Sequence, residues 1–203
     1  MKLIWSVRLA ASMAIGLIFG TTLGVIARGW MRIISVDPEF SREGTVFIVG
    51  IFTVWGFAQG TVIGVRSITS RRWIVTLVRV FGFLGMLPLF FAAGAIMAPT
   101  VIFSGLAIHR KAWRSIVRWL LAIGASVPLI VISVQIHVDF GWSWRLLLGI
   151  FLLLAIYGTV TMASQKTFAQ QIDGWRVPRL LKIVSAFGVI LAISLPAIGL
   201  GFR

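Results

Sequence analysis

Residues 73–108 read WIVTLVRVFGFLGMLPLFFAAGAIMAPTVIFSGLAI, an apolar stretch of 36 residues whose only charge is Arg79. As one helix it would be about 54 Å long at 1.5 Å per residue. The hydrocarbon core of a bilayer is only about 30 Å thick. Pro88 and Pro99 interrupt the stretch, as do Gly82, Gly85 and Gly94. Two readings compete: one long broken helix that crosses once, or a hairpin that returns to its starting side.

The basic residues discriminate between them. Cytoplasmic loops of membrane proteins carry an excess of Lys and Arg. With a single crossing, the 19 basic residues divide 8 against 11 whichever way the chain is threaded, which is no clear excess. With a hairpin, Lys2, Arg8, Arg66, Arg71, Arg72, Arg79 and the clusters 110–118 and 166–182 share one side, giving 14 against 5. Asp37, Glu39, Glu43 and Asp139 then fall with the minority. The hairpin is the expected arrangement. It either crosses twice near Pro88–Gly94 or dips in and returns, and both versions place the N-terminus in the cytoplasm and the C-terminus outside.

Working outward, five further runs are of spanning length: 9–27, 45–65, 119–136, 146–163 and 183–202. A spanning helix needs about 20 apolar residues. In lipid the backbone must satisfy its own hydrogen bonds, so these runs are expected to be helices. Continuous apolar text argues against a β-barrel, which alternates. The expected fold is an all-α polytopic transmembrane bundle of six to seven segments, one integral domain over 1–203. Its expected location is a plasma (inner) membrane. Composition agrees: the 203 residues are 59% hydrophobic and 12% charged, with a mean hydropathy of +1.03. That excludes a soluble globule and a disordered chain.

The net charge of +14 would suggest nucleic acid in a soluble protein, but here it lies in short clusters between apolar runs and no nucleic-acid motif accompanies it. There is no Cys, so disulfides, thiolate metal sites and Cys nucleophiles are excluded. Run 9–27 starts after Lys2 and Arg8 like a signal peptide, but exceeds the usual apolar length of about 7–15 residues. It is read as an uncleaved first helix. Eight of the nine tryptophans lie at or near run ends, as in an interfacial belt; only Trp55 is mid-run.

Small residues recur at spacing four: Ser12, Gly16, Gly20 and Gly24 in the first run, and Gly56, Gly60 and Gly64 in the second, with Thr53 on nearly the same face. Apolar surface gains nothing by leaving apolar lipid, so membrane helices associate by close backbone contact, which glycine permits. These helices are expected to pack closely, against each other or a partner. Gly20–Val25 (GTTLGV) also resembles Gly60–Val65 (GTVIGV), a short match of the kind an inverted repeat would leave.

Polar groups inside the runs are few. Gln59 sits beside the second stripe, and Arg79 lies about 10 Å deeper than Arg72 if helical. Together they mark a candidate polar pathway, although Gln59 also suits interhelical bonding and Arg79 also suits snorkelling. No Asp or Glu falls within a run, which weakens a proton- or cation-coupled carrier. His109 and His137 are separated by a spanning helix and cannot share an ion. HExxH, GxSxG and P-loop motifs are absent from the sequence, and no cofactor is expected.

Two connections look amphipathic. In 109–120, Arg110, Arg114 and Arg118 repeat every four residues as a lipid-facing basic edge; in 164–175, Phe168, Ile172 and Trp175 form a stripe. Both suit helices on the inner surface, attracted to anionic lipid. The leading expectation is a non-enzymatic membrane subunit or scaffold that packs against another membrane protein or itself. The alternative is a transporter of a small solute, ion or lipid. An enzyme ranks third, for want of an acid–base pair within the spans.

Overall fold

The computed structural model describes residues 2–37, 41–92, 95–110 and 112–169. The elements are α1 (Lys2–Ile33), α2 (Arg42–Ile68), α3 (Arg72–Leu84), α4 (Leu87–Ala92), a 3₁₀ turn (Ala95–Met97), α5 (Ala98–His109), α6 (Ser115–Phe140), α7 (Trp144–Ala163) and α8 (Gln165–Phe168). No strand occurs among the described residues. Trp5–Ile33, Arg42–Ile68, Arg72–Phe91, Ser115–Phe140 and Trp144–Ala163 are each long and apolar enough to cross a membrane. The protein is a multi-pass, membrane-embedded helical bundle. The expected span 183–202 lies outside the described residues.

Local chemistry sets several boundaries. Ser41 caps α2 by accepting from Gly44 N at 3.1 Å, and Ser143 caps α7 by accepting from Leu146 N at 3.4 Å. Each hydroxyl satisfies an amide that the first helical turn leaves without a partner. Between α6 and α7 the chain reverses through Gly141, at φ +57°, a conformation that favours glycine.

The two glycine stripes face each other. α1 and α2 run antiparallel, with Gly16 opposite Gly60, Gly20 opposite Gly56, Gly24 against Val49 and Phe52, and Gly64 against Ser12 and Leu9. A Cβ on Gly56 would stand 2.7 Å from Gly20 Cα, and one on Gly16 would stand 2.8 Å from Gly60 Cα. Only hydrogen fits there, so the backbones touch. Thr21 and Thr53 join their hydroxyls across the seam at 2.8 Å. The offset of 40 between 20–25 and 60–65 maps the contact of Gly20 with Gly56 onto that of Gly60 with Gly16, so the two stripes meet symmetrically across the seam.

Residues 73–108 form the hairpin. Thr167 meets the outgoing arm, where a Cβ on Gly82 would stand 2.7 Å from its Oγ1, and its neighbour Phe168 covers Gly105 on the returning arm. Both arms therefore start and finish at the end of the bundle where α2 also ends. The outgoing helix breaks at Gly85–Met86. The tip stops short of its neighbours. Ala107 O meets Arg118 and Thr100 meets Ala125 O, so α5 descends α6 in antiparallel register. Ala95 then falls near position 130, about 15 Å before the end of α6 at 1.5 Å per residue. Interrupted backbone at membrane depth must be covered by protein, and Met86, Leu89, Phe90 and Met97 beside the break are buried in the main core cluster. Thr100 Oγ1 donates to Ala125 O at 3.0 Å, near the turn of α6 that Pro128 disrupts.

Tryptophan placement is largely interfacial: Trp5, Trp73, Trp113, Trp119, Trp142 and Trp144 are exposed. Trp30 is an exception to the belt. Its Nε1 donates to Gly149 O at 2.8 Å, buried between α1 and α7. Trp55 is fully enclosed, 6.0 Å from the Phe19 ring and 6.3 Å from Phe52.

Candidate functional site

Polar side chains converge where α2, α3, α5 and α8 meet, at the arginine-rich end of the bundle. Gln59, on α2, donates from Nε2 to Gly82 O on α3 at 2.9 Å and accepts from Thr167 Oγ1 on α8 at 2.8 Å. Arg79, on α3, donates from Nε to Thr167 O at 2.8 Å. Thr167 thus engages both residues of the expected polar pathway, one through its hydroxyl and one through its carbonyl. Gln59 is 3% exposed, and both functional ends of its amide are engaged.

Arg66, in the last turn of α2, belongs to the same junction and is only 2% exposed. Its Nη1 donates to Lys166 O and Ala169 O. The chain turns extended at Ala169, so these carbonyls lie at a helix end that lacks further amides. Guanidinium groups suit such an end because they bring several donors and a positive charge to the negative pole of the helix. Arg118 repeats the device on α5: its Nε donates to Ala107 O, in that helix's last turn, at 2.8 Å.

This placement corrects the expectation for 109–120. The segment is not one amphipathic surface helix: α5 ends at His109, Arg110 leaves helical geometry at φ −101° and ψ 62°, and α6 begins at Ser115. A four-residue repeat that crosses a turn no longer marks one face. Arg114 is exposed as expected. Arg118 turns inward to α5, and Arg110 is half-buried with its guanidinium 5.8 Å from the Trp113 ring. The expected stripe in 164–175 is likewise not a surface helix over its described part. α8 is a single turn, and Phe168 is buried against Gly105. Ile172 and Trp175 lie outside the described residues.

Ser12, Gly16, Gly20, Gly24, Gly56, Gly60 and Gly64 all lie on the α1–α2 seam. They form a second, separate assembly of expected residues. Elsewhere, Ser104 and Thr161 pair their hydroxyls between α5 and α7 at 3.1 Å, and Gln135 bonds locally to Asp139 at 2.9 Å.

Sequence reasoning missed Arg66 and Thr167 as members of one site. Arg66 directly follows an apolar run and reads as a flanking charge. Thr167 sits 108 residues from Gln59 with no periodic pattern to link them. Comparison with protein-family models, curated proteins and solved structures finds no match to the chain.

Proposed function

We propose that the protein is a non-enzymatic subunit or scaffold of a membrane complex, seated in a plasma membrane with its arginine-rich end in the cytoplasm. The observation that carries this reading is the fate of Gln59. A solute pathway needs polar groups that face the solute, whereas both ends of this amide stitch α2 to α3 and α8. Arg79 likewise holds α8 through Thr167 O. The polar inventory thus supports a rigid body more than a conduit. The glycine faces support internal rigidity too, since each stripe is covered by the other. A partner would therefore meet a different surface from the one the glycine pattern suggests. The orientation rests on the excess of basic residues at one end.

The test is reciprocal. The tagged full-length chain is purified in mild detergent from its own membranes and weighed by native mass spectrometry. The expected result is a complex of fixed stoichiometry, with a second copy or another membrane polypeptide, that also forms when the partner carries the tag. A monomer that mediates solute flux in proteoliposomes, at a rate altered by Arg79→Ala, would replace this reading with the transporter one.

A further inference from the structure

α7 has one covered face and one open one. Gly149, Leu153, Ile156 and Val160 are buried, and Trp30 on α1 donates to Gly149 O at 2.8 Å. On the other side Leu147, Phe151, Leu154, Gly158 and Met162 recur at spacings of three and four, and all are exposed. Lipid covers Leu and Phe as well as protein does, so their exposure alone calls for no partner. Gly158 is different. It offers lipid no side chain to pack on and weakens the helix, and a Cβ there would meet nothing within 4 Å. Gly16, Gly20, Gly56 and Gly60, by contrast, each admit the backbone of a second helix.

The chain itself holds an apolar segment beyond α8. Residues 183–202 are of spanning length, and Arg176, Arg179 and Lys182 precede them. The excess of basic residues expected on one side puts their start at the arginine-rich end, where α7 finishes and α8 follows. Such a segment would run antiparallel to α7. Residues 170–182 can extend about 40 Å, so the connection permits α7 without forcing it. Chain neighbours usually pack together. Register selects the face. Setting Ala163 and Ile183, the inner ends of the two apolar runs, at one level places Gly188 opposite Gly158, Ala192 opposite Leu154, Leu195 opposite Phe151 and Gly199 opposite Leu147. Positions 188, 192, 195 and 199 share one helix face, and all but Leu195 are small. The bulky side chains of α7 would meet hollows, and the two inner glycines would let the backbones approach. Gly50, the other spanning glycine with nothing within 4 Å, falls opposite Ile198 when Val65 is set level in the same way, and gains no such approach.

We propose that residues 183–202 cover the open face of α7 as an antiparallel helix, with Gly188 against Gly158. The inference does not depend on the subunit reading: a scaffold or a transporter could carry this packing equally.

The chain has no Cys, so introduced cysteines pair without background. Full-length chains carrying Gly158→Cys with Gly188→Cys, or Leu147→Cys with Gly199→Cys, are oxidised in their own membranes, then denatured and digested. Mass spectrometry counts the disulfide-linked peptides, a non-reducing gel separates links within one chain from links between copies, and a melting curve in mild detergent checks the fold. A disulfide needs Cα atoms within about 7 Å. Both pairs should link within one chain, each about tenfold more than a control that carries Gly50→Cys with Gly188→Cys. Gly158→Ile should reduce linkage of the outer pair several-fold, since bulk at the crossing holds the two backbones apart. Should the Gly158→Cys chain fail to fold, the outer pair still decides, because it leaves Gly158 and Gly188 intact. The proposal is overturned if a folded pair fails to link, which would leave the face to lipid, or if the Gly50 control links equally. It is also overturned if Gly158→Cys alone joins two chains, which would seat a second copy there, or if Gly158→Ile leaves linkage of the outer pair unchanged.

Discussion

The α1–α2 seam and the polar junction around Thr167 both use glycine to bring helices together, but what each glycine meets is different. On the seam, a Cβ at Gly16, Gly20 or Gly56 would run into the facing backbone. In the junction, a Cβ at Gly82 would meet the Val62 and Thr167 side chains, and one at Gly105 would meet the Phe168 ring. Side chains can rotate aside, whereas two helical backbones can only move apart as units. The seam should therefore be brittle and the junction compliant, although both are tightly packed.

Gly56→Ala is the most direct way to break that contrast, and it carries the largest expected effect. The added methyl must push α1 and α2 apart, which removes close contact along the whole seam. A loss of about 3 kcal/mol is expected, the upper part of the usual range for overpacking. Reversible unfolding in mixed micelles reads it directly. Gly105→Ala should cost about 1–2 kcal/mol by the same measure, because Phe168 can yield. Equal losses at the two positions would remove the distinction between the regions.

The junction's strength should instead lie in its polar links. Gln59→Leu removes a donor to Gly82 O and an acceptor for the Thr167 hydroxyl. Hydrogen bonds between membrane helices average about 0.6 kcal/mol and reach about 1.7 kcal/mol. A double-mutant cycle between Gln59→Leu and Thr167→Val should give a coupling within that range. A coupling indistinguishable from zero would make Gln59 a space-filler and place the junction's stability in its packing alone.

The same contrast explains what the sequence could show. The seam was legible because a repeat at spacing four is local, and one helix face can be read without knowing its neighbour. The choice of partner was not legible: the pattern left each stripe free to meet the other or a second protein, and the structure pairs them with each other. The hairpin was legible through charge, since Arg66, Arg79, Arg110 and Arg118 share an end only if 73–108 turns back. The junction was not legible. Its members come from α2, α3 and α8, and the bond between Gln59 and Thr167 closes a separation of 108 residues. Arg118 misled for a related reason: its spacing from Arg110 and Arg114 has helical meaning only on one uninterrupted helix, and the chain turns between them. Periodicity reports the face of an element, and it is silent on which distant element supplies a hydrogen-bond partner.

Gly50 sharpens the comparison by having the smallest expected effect. It shares α2 with Gly56, six residues away, yet a Cβ there would meet nothing within 4 Å. Composition and helix are the same at both positions; only the facing backbone differs. Gly50→Ala should therefore be neutral or stabilising by up to about 1 kcal/mol, the intrinsic helix preference of Ala over Gly. A loss at Gly50 approaching that at Gly56 would mean that the membrane helix tolerates no substitution of glycine anywhere along it. The cost at Gly56 could then no longer be assigned to contact with α1. A neutral Gly50 beside a costly Gly56 would locate the seam's stability in the approach of two backbones, rather than in glycine content.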